Sequence, residues 1–254
     1  MCLIQKSNSL LNSFTIWANS NKLTINTDKT YYLTITNRQI PENLPPIKLS
    51  DTPLQSSSNL KFLGVLLDEG LGFGGHTRYT CAKISKSLGI FYKLRNFLPL
   101  KSLISLYYTF IYPYFVYCNI VWCNTFSTHL IPLEMLQRKA LRIINRSAYN
   151  SHTNVLFYNN KILKLRDLNF YFQSIFMYNS NTSDFHSNHT HNTRHSRSNL
   201  VPVFQRTTRT QQSLSYSGPK IWNQIPIEIR LLPTVHQFKK KLKDYLVEKY
   251  SNST

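Results

Sequence analysis

Hydrophobic positions along this chain follow two periods, and the change from one to the other sets the expected architecture. From residue 7 to 20, Leu10, Leu11, Phe14, Ile16 and Trp17 recur at helical spacing, with Ser7 or Ser9 placed to cap an amphipathic helix. KLTINTDKTYYLTIT then alternates apolar and polar residues, Leu23 and Ile25 followed by Tyr31, Leu33 and Ile35. This is a strand pattern broken by a turn at Asn26-Thr27-Asp28. Pro41, Pro45 and Pro46 mark a loop, and IKLSDTPLQ reads as a tight hairpin. KFLGVLLD (61–68) reads as a short buried strand, and EGLGFGG (69–75) as a turn.

From His76 the period becomes helical. Tyr79, Ile84, Leu88, Phe91 and Leu94 form one apolar stripe, with Lys83, Lys86, Lys93 and Arg95 off it. Pro99 ends this helix and opens the next, which carries Leu100, Leu103, Leu106, Tyr107, Phe110 and Ile111 until Pro113 breaks it. Residues 128–146 give the clearest helix. Leu133, Leu136, Ala140, Ile143 and Ile144 line one side, and Arg138, Lys139, Arg142 and Arg146 the other. Further helices are expected at 165–178 and 235–249, the last with Val235, Phe238, Leu242, Tyr245 and Leu246 on one side and Lys239, Lys240, Lys241 and Lys243 crowding its start. LSYSGPKIWNQIPIEIR (214–230) reads as a compact, turn-rich segment.

Composition narrows the chemistry. The chain has 254 residues, room for one large domain or two small ones, and 13% of them are aromatic, which excludes a wholly disordered chain. Lys and Arg total 30 against 11 Asp and Glu, a formal charge of +19, and charged residues make up only 16%. The basic excess therefore comes from a shortage of acids. Such a surface attracts polyanions, nucleic acid first and an anionic membrane face second. Only Asp68 and Glu69 are adjacent acids, and no H-E-x-x-H, Walker loop or G-x-S-x-G occurs.

Cys2, Cys81, Cys118 and Cys123 are too irregularly spaced for a disulfide framework and read as free thiols in a reducing compartment. The opening MCLIQKSN is no signal peptide, so an intracellular location, cytoplasmic or nuclear, is expected. NSNTSDFHSNHTHNTRHSRSNL (179–200) is polar and low in complexity, hence a flexible linker. His186, His189, His191 and His195 within it have only Asp184 nearby and no Cys, short of the closed, structured loop of a zinc site, and no metal is assigned to them. Residues 102–133 carry no Asp, Glu, Lys or Arg, but Tyr107, Tyr108, Tyr112, Tyr114 and Tyr117 dilute them and Pro113 divides them. Two buried segments are expected there in place of a membrane span.

Several segments, in order, carry a resemblance. WANSNKLTINTDKT is followed by KFLGVLLD, then ISKSLGIFYKLRNFLPLKSLISLYYTFIYPYFVYCNIVW, LEMLQRKALRIINRSAYNSHT, NTRH, SYSGPKIWNQIPIEIR and HQFKKKLKDYL. Together, from about residue 10 to 246, they resemble the C-terminal part of the reverse transcriptases of LINE-type, jockey-like non-LTR retrotransposons. The resemblance implies an α+β fold in which small residual palm β-hairpins precede a mainly helical thumb and a C-terminal helical region with a disordered linker. It divides the chain into a residual palm (1–75), thumb helices (76–125), a basic helical connector (126–178), the linker (179–213) and a C-terminal segment with a basic helix (214–254). Trp17, Asn21, Leu23, Asn26, Lys29 and Thr30 match the helix-then-strand motif after the family's catalytic turn, and Phe62-Leu63-Gly64 its primer-gripping hairpin.

The family's paired catalytic aspartates belong just before the 7–20 helix, where this sequence starts. The remaining acids cannot replace them, because two-metal phosphoryl transfer needs carboxylates that hold Mg²⁺ between attacking and leaving oxygens. The expectation is a truncated fragment, begun at an internal start codon or by a broken gene model. It has no catalytic residue and no cofactor of its own (Mg²⁺ belongs to the parent family) and takes no small-molecule substrate. Its partners are RNA and DNA, met through phosphates. The residues expected to meet them are Lys29, Phe62, Leu63, Gly64, Lys83, Lys86, Arg138, Arg142, Arg146, Lys239 and Lys240. Read from the residues alone, Lys29 is an exposed strand-end lysine, Phe62 to Gly64 a core strand ending at glycine, and the lysines and arginines solvated helix faces. The rival readings are a basic membrane-associated protein with residues 102–123 embedded, and a non-functional relic of a mobile element.

Overall fold

The structure, a computed structural model, describes residues 3–36, 41, 44–180 and 199–251. The chain is α+β and separates into two compact units, Met1–Gly75 and His76–Thr254.

Among its described residues the first unit has helix α1 (Leu3–Ser20), a 3-10 turn (Thr27–Lys29) and six strands: β1 (Tyr31–Tyr32), β2 (Lys48–Leu49), β3 (Thr52–Pro53), β4 (Gln55–Ser56), β5 (Asn59–Phe62) and β6 (Val65–Asp68). Asn8 ties the helix to the strands. Its Nδ2 donates to the Pro46 carbonyl at 3.1 Å and its Oδ1 accepts from the Lys48 N–H at 3.0 Å. The expected hairpin in IKLSDTPLQ is the antiparallel β2–β3 pair, turned at Ser50 and Asp51 with φ of 50° and 67°. The alternation at 22–36 yields only the two residues of β1, paired in parallel with β4. The cause is local: the Asn26 side chain accepts from the Lys29 N–H at 3.1 Å and closes the 3-10 turn, which ends the extended run.

KFLGVLLD is not one buried strand. It is the tight hairpin β5–β6, in which Phe62 pairs with Val65 across a two-residue turn at Leu63 and Gly64, φ 44° and 85°. Two consecutive positive φ values are the backbone that a right-twisted hairpin needs. Both Phe62 and Leu63 are exposed at its tip. The following turn is fastened by Asp68, whose two carboxylate oxygens accept from the Gly72 and Phe73 N–H groups at 2.8 Å each.

The second unit is helical: α2 (Gly74–Leu94), α3 (Leu100–Phe110), α4 (Tyr112–Val116), α5 (Asn119–Trp122), α6 (Ser127–Ile144), α7 (Asn154–Asn159), α8 (Leu165–Asn179), α9 (Thr208–Gln211), α10 (Leu214–Asn223), α11 (Ile227–Arg230) and α12 (Val235–Glu248). On α2 the buried stripe is Thr80, Ile84, Leu88 and Phe91, and Tyr79 faces water. Residues 102–123 are shared among three helices with Leu103, Tyr107, Ile111, Phe115 and Trp122 fully buried. Among the described residues no helix is long and apolar enough to cross a membrane.

The segment at 214–230, expected to be turns, forms α10 and α11. Pro219 sits within α10. Gly218 there marks a close approach: a Cβ at that position would stand 2.6 Å from the Met177 Sδ of α8. The linker expected at 179–213 is ordered at its end. Leu200 is buried, its N–H donates to Asn223 Oδ1 at 2.9 Å, and its carbonyl accepts from Asn223 Nδ2 at 2.8 Å. Residues 181–198, with the four histidines noted above, lie outside the described residues.

Two polar clusters hold the helices in register. Gln137, buried in α6, donates from Nε2 to the Tyr107 hydroxyl and the Leu163 carbonyl, and accepts on Oε1 from the Leu165 N–H at 2.9 Å, so it bridges α3, α6 and the start of α8. Asn124 Oδ1 accepts from Asn169 and Gln173 at 2.9 and 2.7 Å, while its Nδ2 donates to the Gln212 carbonyl, which joins α8 to the α9–α10 turn. Beside this cluster, burial pushes the Cys123 thiol up to about 12, so it stays protonated.

Candidate nucleic-acid interface

The residues expected to meet nucleic acid are divided between the two units. Lys29, Phe62, Leu63 and Gly64 belong to the first unit, the others to the second. Lys29 is exposed at the end of the 3-10 turn. On α2, Lys86 is exposed, and Lys83 is half-buried with its ammonium 5.4 Å from the centre of the Tyr79 ring. On α12, Lys239 and Lys240 project into solvent beside Lys241.

The arginines on α6 and just beyond it have three different fates. Arg138 is exposed and pairs with Glu134 one turn away at 3.4 Å, and Glu134 is shared with Arg166 at 2.5 Å. Arg142 gives its Nε to the Ser151 carbonyl at 3.0 Å, which leaves the other guanidinium donors. Arg146 lies beyond the helix end with φ 52°, and two of its guanidinium nitrogens donate to protein. Nε donates to the Arg95 carbonyl at 2.9 Å and Nη2 to the Leu98 carbonyl at 3.1 Å, clamping the corner between α2 and α3. Arg138, Lys139 and Arg142 lie on α6 itself, and Arg146, exposed just beyond it, also clasps this corner.

Two clefts border this part of α6. One, of about 340 Å³, holds Glu134, Arg138, Lys164, Arg166 and Asp167 with Phe157 and Asn154. It is internally compensated. Lys164 Nζ donates to Asn154 Oδ1 at 2.9 Å and lies 4.3 Å from the Tyr250 ring centre, and the Tyr250 hydroxyl donates to Asp167. Burial holds the Lys164 ammonium below the usual lysine range and the Asp167 carboxyl above the usual aspartate range. The other, of about 640 Å³, is bordered by Cys81, Pro132, Met135, Leu136, Arg138, Lys139, Arg142, Tyr149 and Asn150, with no carboxylate among them. A larger cleft of about 980 Å³ beside α12 places Lys161 and Lys241 among Glu228, Asp244 and Glu248. Sequence reasoning passed over Tyr149 and Met135. A single aromatic in a polar loop has no period to betray it, and Met135 was hidden on a helix read by its charges.

Among the described residues no group of three or more His, Cys, Asp or Glu side chains is placed to hold a metal ion. Asp68, the acid with an acidic neighbour in sequence, has both oxygens committed to its own turn.

Compared with protein-family models, with curated proteins and with solved structures, the chain finds no match.

Proposed function

We propose that the chain is the C-terminal part of a LINE-type, jockey-like reverse transcriptase, comprising the end of the palm, the thumb and the C-terminal extension. On its own it binds RNA and DNA through their phosphates, without sequence preference, and does not polymerise. The ordered run of segments quoted above supports the family. One observation carries the binding: 30 Lys and Arg face 11 Asp and Glu, so 19 cations have no carboxylate in the chain to neutralise them. Several stand exposed on α6 and α12. Cations on a helix face reach phosphates, which fix position and carry no sequence code.

The test is fluorescence anisotropy on labelled duplexes across a salt series. Affinity should fall steeply with salt and vary little with sequence. Each phosphate contact contributes roughly 0.9 to the slope of log K against log salt. Reversing Arg138, Lys139 and Arg142 to Glu should flatten that slope by about three such contacts. An unchanged slope would move the interface off α6, and absence of binding at low salt would end the reading. Primer extension on RNA with Mg²⁺ or Mn²⁺ should give background only. Extension that Asp68→Ala abolishes would contradict it.

A further inference from the structure

The cleft beside α6 has two features that a phosphate-binding surface does not require. Its walls are largely apolar, with Met135 exposed and Cys81 contributed by α2. Burial raises the Cys81 thiol above its ordinary value, so it stays protonated and adds no negative charge. Tyr149, in the loop after α6, is 86% exposed at the same cleft. A tyrosine ring left in water costs free energy that core packing would recover, and this ring stands where three cations line the rim. A cationic rim with no carboxylate among its lining residues, Arg138 alone being paired outside it with Glu134, around an apolar floor suits a polyanion whose charged backbone carries flat apolar faces. Duplex nucleic acid hides those faces in its stack. A single strand offers them.

We infer that this cleft binds single-stranded nucleic acid, with a base stacked on Tyr149 over the apolar floor and successive phosphates held by Arg138, Lys139 and Arg142. The inference rests on the nucleic-acid reading above and assigns it a strand type and a place. Arg138 and Arg142 are four residues apart on one helix, a rise of about 6 Å, so their guanidiniums reach neighbouring phosphates of one strand. The other clefts suit this ligand less well. The two with cations also carry carboxylates, and the apolar cleft against Phe172 and Phe176 has no cation.

The experiment uses the full chain and three labelled probes at one salt concentration: twelve-residue oligo(dT), a twelve-residue abasic strand with the same phosphates, and a twelve-pair duplex. The native chain should bind oligo(dT) more tightly than the abasic strand by roughly 5- to 150-fold, the range of one base–aromatic stack. Tyr149→Ala should lose that factor on oligo(dT), lose nothing on the abasic strand, and stay within twofold on the duplex, and Tyr149→Phe should restore it. Exposure of the side chain means that its truncation removes no packing, and an unchanged circular dichroism melt verifies this. Equal native affinity for oligo(dT) and the abasic strand overturns the inference. So does a Tyr149→Ala chain that binds oligo(dT) as the native chain does. If charge reversal on α6 weakens binding while Tyr149→Ala does not, the phosphate reading survives and this inference falls. If the native chain binds none of the probes, the parent reading falls with it.

Discussion

At the scale of single residues, backbone conformation tells apart side chains that look alike in the sequence. Leu63 holds φ 44° at the tip of β5–β6, a left-handed conformation that costs an L-residue with a full side chain roughly 1–2 kcal/mol. Its side chain is 73% exposed, so burial recovers little of that cost. Leu63→Asn would create the Asn-Gly turn that two-residue hairpins favour, and should stabilise the chain by about 1 kcal/mol in a urea melt. A loss of stability would show that the leucine is held by contacts. Arg146 and Arg138 make a second pair. Arg146 donates to two backbone carbonyls and Arg138 to a carboxylate at the surface. Arg146→Ala should cost about 1 kcal/mol of stability and leave the salt dependence of binding alone. Arg138→Ala should stay within about 0.5 kcal/mol in stability and reduce the duplex salt slope by roughly 0.9. Thermal melts and the salt series on both variants separate the two roles, and exchanged outcomes would reverse the assignment.

At the scale of elements, Gln137 shows how a polar side chain fixes the junction of three helices. Replacing it by Leu would fill the space but leave the Leu165 N–H, the Leu163 carbonyl and the Tyr107 hydroxyl without this partner. Each buried group left unpaired costs about 1–3 kcal/mol, so Gln137→Leu should lose on the order of 3 kcal/mol, and a near-neutral result would mean that water replaces the amide. Elements with long apolar periods were legible: α1, α6, α8 and α12 fall within a few residues of their expected bounds. Those whose residues answer to distant partners were not. Gly218 and Pro219 read as a turn, and the reason for a glycine there, the Met177 side chain, lies on another helix. Leu63 and Gly64 sat inside what looked like one apolar strand, because period says nothing about a two-residue reversal. At the interface the same limit applies. Arg138, Lys139 and Arg142 share a helix and were visible as a stripe, whereas the engagement of Arg146 depends on carbonyls about fifty residues earlier, at Arg95 and Leu98.

At the scale of the whole molecule, excess charge is the governing quantity. A net +19 repels itself in the folded state, and ligands that bind only the folded chain stabilise it by mass action. A polyanion such as heparin, at a hundred times its dissociation constant, should add about 2.7 kcal/mol. For a chain of this size that is a rise in Tm of roughly 5–10 °C, abolished by high salt. Scanning calorimetry with and without heparin measures it, and an unchanged or lowered Tm would mean that the cations are not gathered on the folded surface. Helix α1 has the opposite character. Leu3, Leu10, Phe14 and Trp17 follow one another along a single stripe, and all are exposed, the last two with rings stacked 5.9 Å apart. A contiguous greasy stripe is the feature by which cellular quality control tells unfinished proteins from finished ones. The folded chain therefore displays on α1 the kind of surface by which an unfinished protein is recognised.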